Sequence, residues 1–142
     1  MSNQHTHDKG VNIIYTRLSK ADLYQCIGRE KDYGITRSRV IGEIDAYAVH
    51  NGLKLSDILL FEYKSSNIKT KPGTTARHQL AKEQKYLQDY FTNGHNYQFI
   101  KPGALDEIVS NTTNKYIRVR TFYVHSNPPV FELQHTYDFT RK

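Results

Sequence analysis

Two strand-like runs face each other across Asn51-Gly52, and this tight-turn pair places an antiparallel hairpin at the centre of any fold the chain adopts. Arg39 to Val49 is the first run, and Ile58 to Lys64 is the second, more apolar one. The period then changes. Ala76, Leu80, Leu87 and Phe91 recur at helical spacing and Asn93-Gly94 stops them, which predicts a helix over Ala76 to Phe91. Upstream, Ser19 and Asp22 form a capping-box-like start, and Leu23, Cys26, Ile27 and Glu30 follow at helical spacing. They predict a first helix over Lys20 to Tyr33, stopped by Gly34. Downstream, the pattern predicts a short strand at Tyr97 to Ile100 and a helical turn at Ala104 to Ser110. Two further strands, Tyr116 to His125 and Val130 to Phe139, flank a turn at Ser126 to Pro129. The order of helix, antiparallel strands, helix and strands predicts an α/β fold, a mixed β-sheet flanked by helices.

A chain of 142 residues with 37% hydrophobic and 24% charged residues fits one globular domain with its own core. Met1 to Gly10 is polar and has no apolar run behind a basic start, so it predicts a flexible tail in which His5 and His7, although able to bind a metal, are expected to be disordered. Neither a signal peptide nor a membrane span is expected. Cys26 is the single cysteine, which excludes an intrachain disulfide and a cysteine-built zinc site and points to a reducing, cytoplasmic setting. On its apolar stripe it is expected as a small core residue.

Charged groups stand where a buried strand should be apolar: Glu43 and Asp45 in Gly42-Glu43-Ile44-Asp45, and Glu62 and Lys64 in Phe61-Glu62-Tyr63-Lys64. Strand alternation puts each pair on one face, and if the two strands pair, all four can converge. Partly desolvated carboxylates cost several kcal/mol unless a cation neutralises them. Asp45, Glu62 and the backbone carbonyl of Tyr63 supply the oxygen donors that Mg2+ or Mn2+ prefers. Such an ion activates a water and offsets charge on a phosphodiester, and Lys64 is placed to hold that water or the phosphate. The plainer alternative is a cross-strand salt bridge between surface carboxylates and Lys64.

These segments resemble the PD-(D/E)XK nucleases, which include restriction enzymes, archaeal Holliday junction resolvases and RecB-like exonucleases. Gly42-Glu43-Ile44-Asp45 is similar to the segment with the family's first acid, and Glu62-Tyr63-Lys64 to its E-x-K signature. The resemblance covers about Leu23 to Tyr86 and implies a restriction-endonuclease-like fold. It gives Asp45 and Glu62 the metal-ligand roles and Lys64 that of the catalytic lysine. It further implies a site-facing Glu30 on the preceding helix and a site-facing Gln79 on the following one. Ile44 stands where the family name has proline.

A formal charge of +6 and a pI near 9.4 agree with a DNA partner, though equally with a solvated cationic surface. Lys69, Lys71 and Arg77 around the loop after Lys64, with Arg118 and Arg120 on one later strand, are the candidate phosphate contacts. The small size suggests a homodimer that presents two sites to two strands. A nucleic-acid-binding protein on the same fold, with weak or lost cleavage, is the alternative function.

Overall fold

Helix α1 (Asn3–Ala21) forms because His7, Val11, Ile14 and Leu18 recur at helical spacing. Val11, Ile14 and Leu18 bury that face on the sheet. The expected tail is therefore helix from Asn3 onward, with Asp8 and Lys9 exposed and His7 turned towards the sheet. In this computed structural model the described residues are 3–35, 39–64, 74–93 and 98–142. Asp22, at a φ of 50°, turns the chain out of α1 towards strand β1 (Cys26–Tyr33).

The helix expected over Lys20 to Tyr33 is corrected here, because residues 26–33 form a strand. Its register runs from Cys26 opposite Val49 to Tyr33 opposite Gly42. Leu23, Cys26 and Ile27 have helical spacing only by coincidence, and Gly28 disfavours a helix by about 1 kcal/mol relative to Ala. The glycine serves the sheet instead: the Tyr47 ring lies over it, so a Cβ there would come within 2.1 Å of that ring.

The sheet has five strands in the order β1, β2 (Gly42–Asn51), β3 (Leu55–Lys64), β4 (Tyr116–His125), β5 (Val130–Thr140). All neighbours are antiparallel except β3 and β4, which are parallel and joined through α2 (Thr74–Asn93) and α3 (Ala104–Asn111). The mixed, helix-flanked sheet expected from the sequence is thus the fold. Residues 98–100 are not a strand; Ile100 makes a single backbone bond to Gly34 (3.0 Å), while Tyr97 lies outside the described residues. Among the described residues no helix is long and apolar enough to cross a membrane.

Each face of the sheet has its own core. Under α1, Val11, Ile14 and Leu18 pack on Ala46, Ala48, Leu59, Phe61 and Tyr63. Under α2 and α3, Leu80, Leu87 and Ile108 pack on Tyr47, Val49, Ile58 and Leu60. Ile44 belongs to this second core and Ala46 to the first, so the alternation of β2 slips between them, at Asp45. That slip lets Asp45 be reached from both faces.

Gly10 sets how closely α1 approaches β3, since a Cβ there would lie 2.2 Å from the ring of Tyr63, which is buried. Gly10→Ala would gain about 1 kcal/mol of helix propensity but force an overpacked contact costing about 1–3 kcal/mol. The expected outcome is a lower urea midpoint for Gly10→Ala. A clearly raised midpoint would mean that α1 does not rest on Tyr63.

Candidate active site

β2 and β3 are paired from Ala46 and Phe61 onward, and continuing that register by one residue brings Asp45 level with Glu62. Both carboxylates are buried, at 4% and 3% exposure, and they lie within hydrogen-bonding reach of each other. The Tyr63 backbone N–H donates to Asp45 Oδ2 (2.8 Å), while Asp45 Oδ1 lies 3.3 Å from His7 Nε2. Asp45 is therefore held from two sides. Lys64 Nζ, half-exposed, sits 3.5 Å from Glu62 Oε2.

A third acid completes the cluster. Glu83 comes from α2, on the same stripe as Ala76, Leu80 and Leu87, and is 1% exposed. Burial, followed by repulsion from Asp45, raises the Glu62 carboxyl well above its ordinary range, and Lys64 only partly opposes this. Burial also raises Glu83, with Glu62 and Asp45 adding to the shift. His7 is raised chiefly by its hydrogen bond to Asp45, which outweighs its partial burial and favours the imidazolium. Glu43 is raised by partial burial and by Asp45, Asp32 and Glu30.

One Oε1 oxygen of Glu62, one of Glu83 and the Oε1 of Gln79 are buried and without a hydrogen-bond partner among the described residues. Ionised carboxylates and the Gln79 amide oxygen can only accept, so a bound cation, which holds the acids ionised, suits this group better than an empty core. His7, Glu43 and Asp45 also each offer one ligand atom within 4.8 Å of the others. The donors suit a divalent ion: hard oxygens from the acids and one borderline nitrogen from His7.

No protein-family model, curated protein or solved structure matches the chain. The case for this site rests on its own chemistry.

The structure thus brings Asp45, Glu62, Tyr63 and Lys64 together. Gln79 lies one helical turn before Glu83 on α2, half-buried. Glu30 is corrected: it sits on the edge strand β1, exposed at a φ of 46°, and not on a helix. The β1–β2 register nevertheless sets it level with Asp45, and its charge acts on His7 and Glu43.

The candidate phosphate contacts divide. Arg118 is paired with Asp138 (2.8 Å), and Arg120 holds both oxygens of Asp57 (2.6 and 3.2 Å). Asp57 lies five residues before Glu62 on β3, about 16 Å away along a strand, so these arginines belong to the other end of the sheet. Arg77 is exposed in the first turn of α2. Lys69 and Lys71 lie outside the described residues.

Sequence reasoning set His7 aside as part of a disordered tail and missed Glu83. Both carried the signal already used for Glu30, a titratable residue on the buried stripe of a helix. Gly10 and the polar surroundings of His7 concealed its helix. Glu83 was concealed because only the apolar members of its stripe were counted.

Proposed function

We propose that the chain is a divalent-metal-dependent nuclease that hydrolyses phosphodiester bonds of DNA, on a sheet of the restriction-endonuclease-like kind. The observation that carries this is the buried pair Asp45 and Glu62, side by side on neighbouring strands, with a third buried acid, Glu83, near enough to feel their charge, orphaned oxygens on Glu62 and Glu83, and a lysine at the rim.

Asp45 would hold the cation together with its neighbour Glu62 and with His7 and Glu43, whose ligand atoms lie within 4.8 Å of its own, and Glu83 would add negative charge. When bound, a divalent ion supplies a water of lowered pKa and offsets charge on the phosphate. The chain's own residues do the rest. The Tyr63 N–H and His7 fix the two oxygens of Asp45, so the ligand is oriented before any substrate arrives. Glu62 restrains Lys64, leaving the exposed part of the ammonium to donate to the attacking water and to a non-bridging phosphate oxygen. Cutting both strands of a duplex would call for a second copy of the chain.

The test is incubation with supercoiled, linear, single-stranded and four-way-junction DNA, in magnesium, in manganese and in chelator. Cleavage is expected with either metal and none in chelator. Asp45→Asn should abolish cleavage, and His7→Ala should reduce activity more in manganese than in magnesium, since nitrogen donors favour manganese. Metal-dependent DNA binding with no cleavage of any substrate would leave only a nucleic-acid-binding role. Cleavage that survives both the chelator and Asp45→Asn would overturn the assignment.

A further inference from the structure

A cavity opens on the face of the sheet that carries α2, at the far end of that helix. Its volume is about 540 Å³, within the roughly 300–1,000 Å³ typical of small-molecule sites. Phe91, in its wall, is eight residues beyond Glu83 on α2, about 12 Å along the helix axis. The cavity is therefore separate from the carboxylate cluster.

Three rings form its apolar wall. Tyr90 packs edge-on against Phe91 (5.5 Å between centroids) and tilts against Phe99 (5.2 Å). Three cations also line it, Lys101, Arg141 and Lys142, against one acid, Asp106. Arg141 is the best-fixed of them. Its backbone N–H donates to the Lys115 carbonyl (2.7 Å), one guanidinium nitrogen donates to the Thr112 carbonyl, and its guanidinium carbon lies 4.9 Å from the Phe91 ring centre. The Lys142 N–H is tied to the Phe91 carbonyl at 2.9 Å. The Arg141 Nε is nonetheless buried and has no acceptor among the described residues. A buried donor on a charged group without an acceptor costs about 1–3 kcal/mol or more, so the guanidinium is under-satisfied, and its half-exposed part at the cavity wall is suited to an incoming anion.

We propose that this cavity binds a nucleotide, with the base against Tyr90, the partly exposed ring of a wall that the buried Phe91 and Phe99 back, and the phosphate on Lys101, Arg141 and Lys142. Stacking supplies affinity for any base, because every base has an aromatic face, and the cations require the phosphate. Inorganic phosphate alone leaves the aromatic wall uncovered, and a nucleoside alone leaves the cations unpaired. The occupant is either a free nucleotide or an unpaired nucleotide within a strand that continues toward the carboxylates. The chemistry is the same in both cases and does not depend on cleavage.

Calorimetric titration in chelator, where no cleavage can occur, tests this apart from the proposed nuclease activity. The probes are deoxyadenosine monophosphate, deoxyadenosine, inorganic phosphate, phosphotyrosine and an oligothymidylate. Deoxyadenosine monophosphate should bind saturably and at least roughly tenfold more tightly than the other three small probes. Arg141→Gln should weaken it roughly tenfold, and Lys101→Gln, at an exposed position that leaves folding intact, roughly threefold. If Lys101→Gln weakens oligothymidylate as well, the strand is an occupant; if it weakens only the mononucleotide, the free nucleotide is. No saturable binding at millimolar concentration would overturn the proposal, as would phosphotyrosine binding equally well or Lys101→Gln leaving the affinity unchanged.

Discussion

Lys64→Ala protein should bind manganese at least as tightly as the parent yet cleave DNA two or more orders of magnitude more slowly, a loss on the order of 3 kcal/mol in transition-state stabilisation. Two effects of the missing ammonium act in opposite directions. Lys64 stands 3.5 Å from Glu62 Oε2, where its charge opposes a cation held by the same carboxylate, so removing it favours the metal. In the proposed mechanism the same ammonium donates to the water and phosphate oxygens, where charge builds as the new bond forms. Water cannot replace a preorganised donor at the rim of a partly dry site without reorganising. If Lys64 were only the surface partner of Glu62, its loss would change stability by about 1 kcal/mol or less and leave cleavage alone. Calorimetric metal titration together with a single-turnover cleavage assay separates the two cases. Parental rates in Lys64→Ala protein would remove the lysine from the mechanism.

The parts of this site legible in the sequence share one property: they violate a local rule. Asp45 and Glu62 are charges inside apolar strands, and burial at 4% and 3% bears that anomaly out. Asn51-Gly52 and the runs beside it fixed the β2–β3 pairing that sets the two acids side by side. Strand β4 was likewise legible, because the turn at Ser126 to Pro129 separates it from the last strand.

What failed did so where local pattern and tertiary contact disagree. Leu23, Cys26 and Ile27 mimic a helix, but the sheet edge offered by β2 outweighs a weak propensity, and Glu30 moves to a strand as a result. Arg118 and Arg120 were legible as cations on one face, whereas their partners were not, since Asp138 and Asp57 come from neighbouring strands. His7 needed knowledge of where α1 docks, a matter decided by Gly10 against Tyr63.

Glu83 offers the clearest separation of stability from function. Glu83 and Glu62 both have raised pKa values in the folded protein, caused first by burial and then by the neighbouring acids. A carboxyl raised on folding remains protonated in the native state at pH values where the unfolded chain has already lost its proton. The stability it contributes is therefore full below the ordinary value of 4.5 and declines as pH rises toward the folded pKa. Glu83→Gln removes that decline. In metal-free buffer its advantage over the parent should be small at pH 4 and grow steadily as pH rises from there to pH 8. Saturating manganese should reverse the order, because the ion stabilises the ionised acids of the parent and finds one charge fewer in the variant. Cleavage by Glu83→Gln should fall with its metal affinity. Urea unfolding at the two pH values, with and without manganese, provides the measurement. An offset between variant and parent that is the same at both pH values and insensitive to metal would show that Glu83 does not share the electrostatics of Asp45 and Glu62, and the cation site would then lie with His7, Glu43 and Asp45 alone.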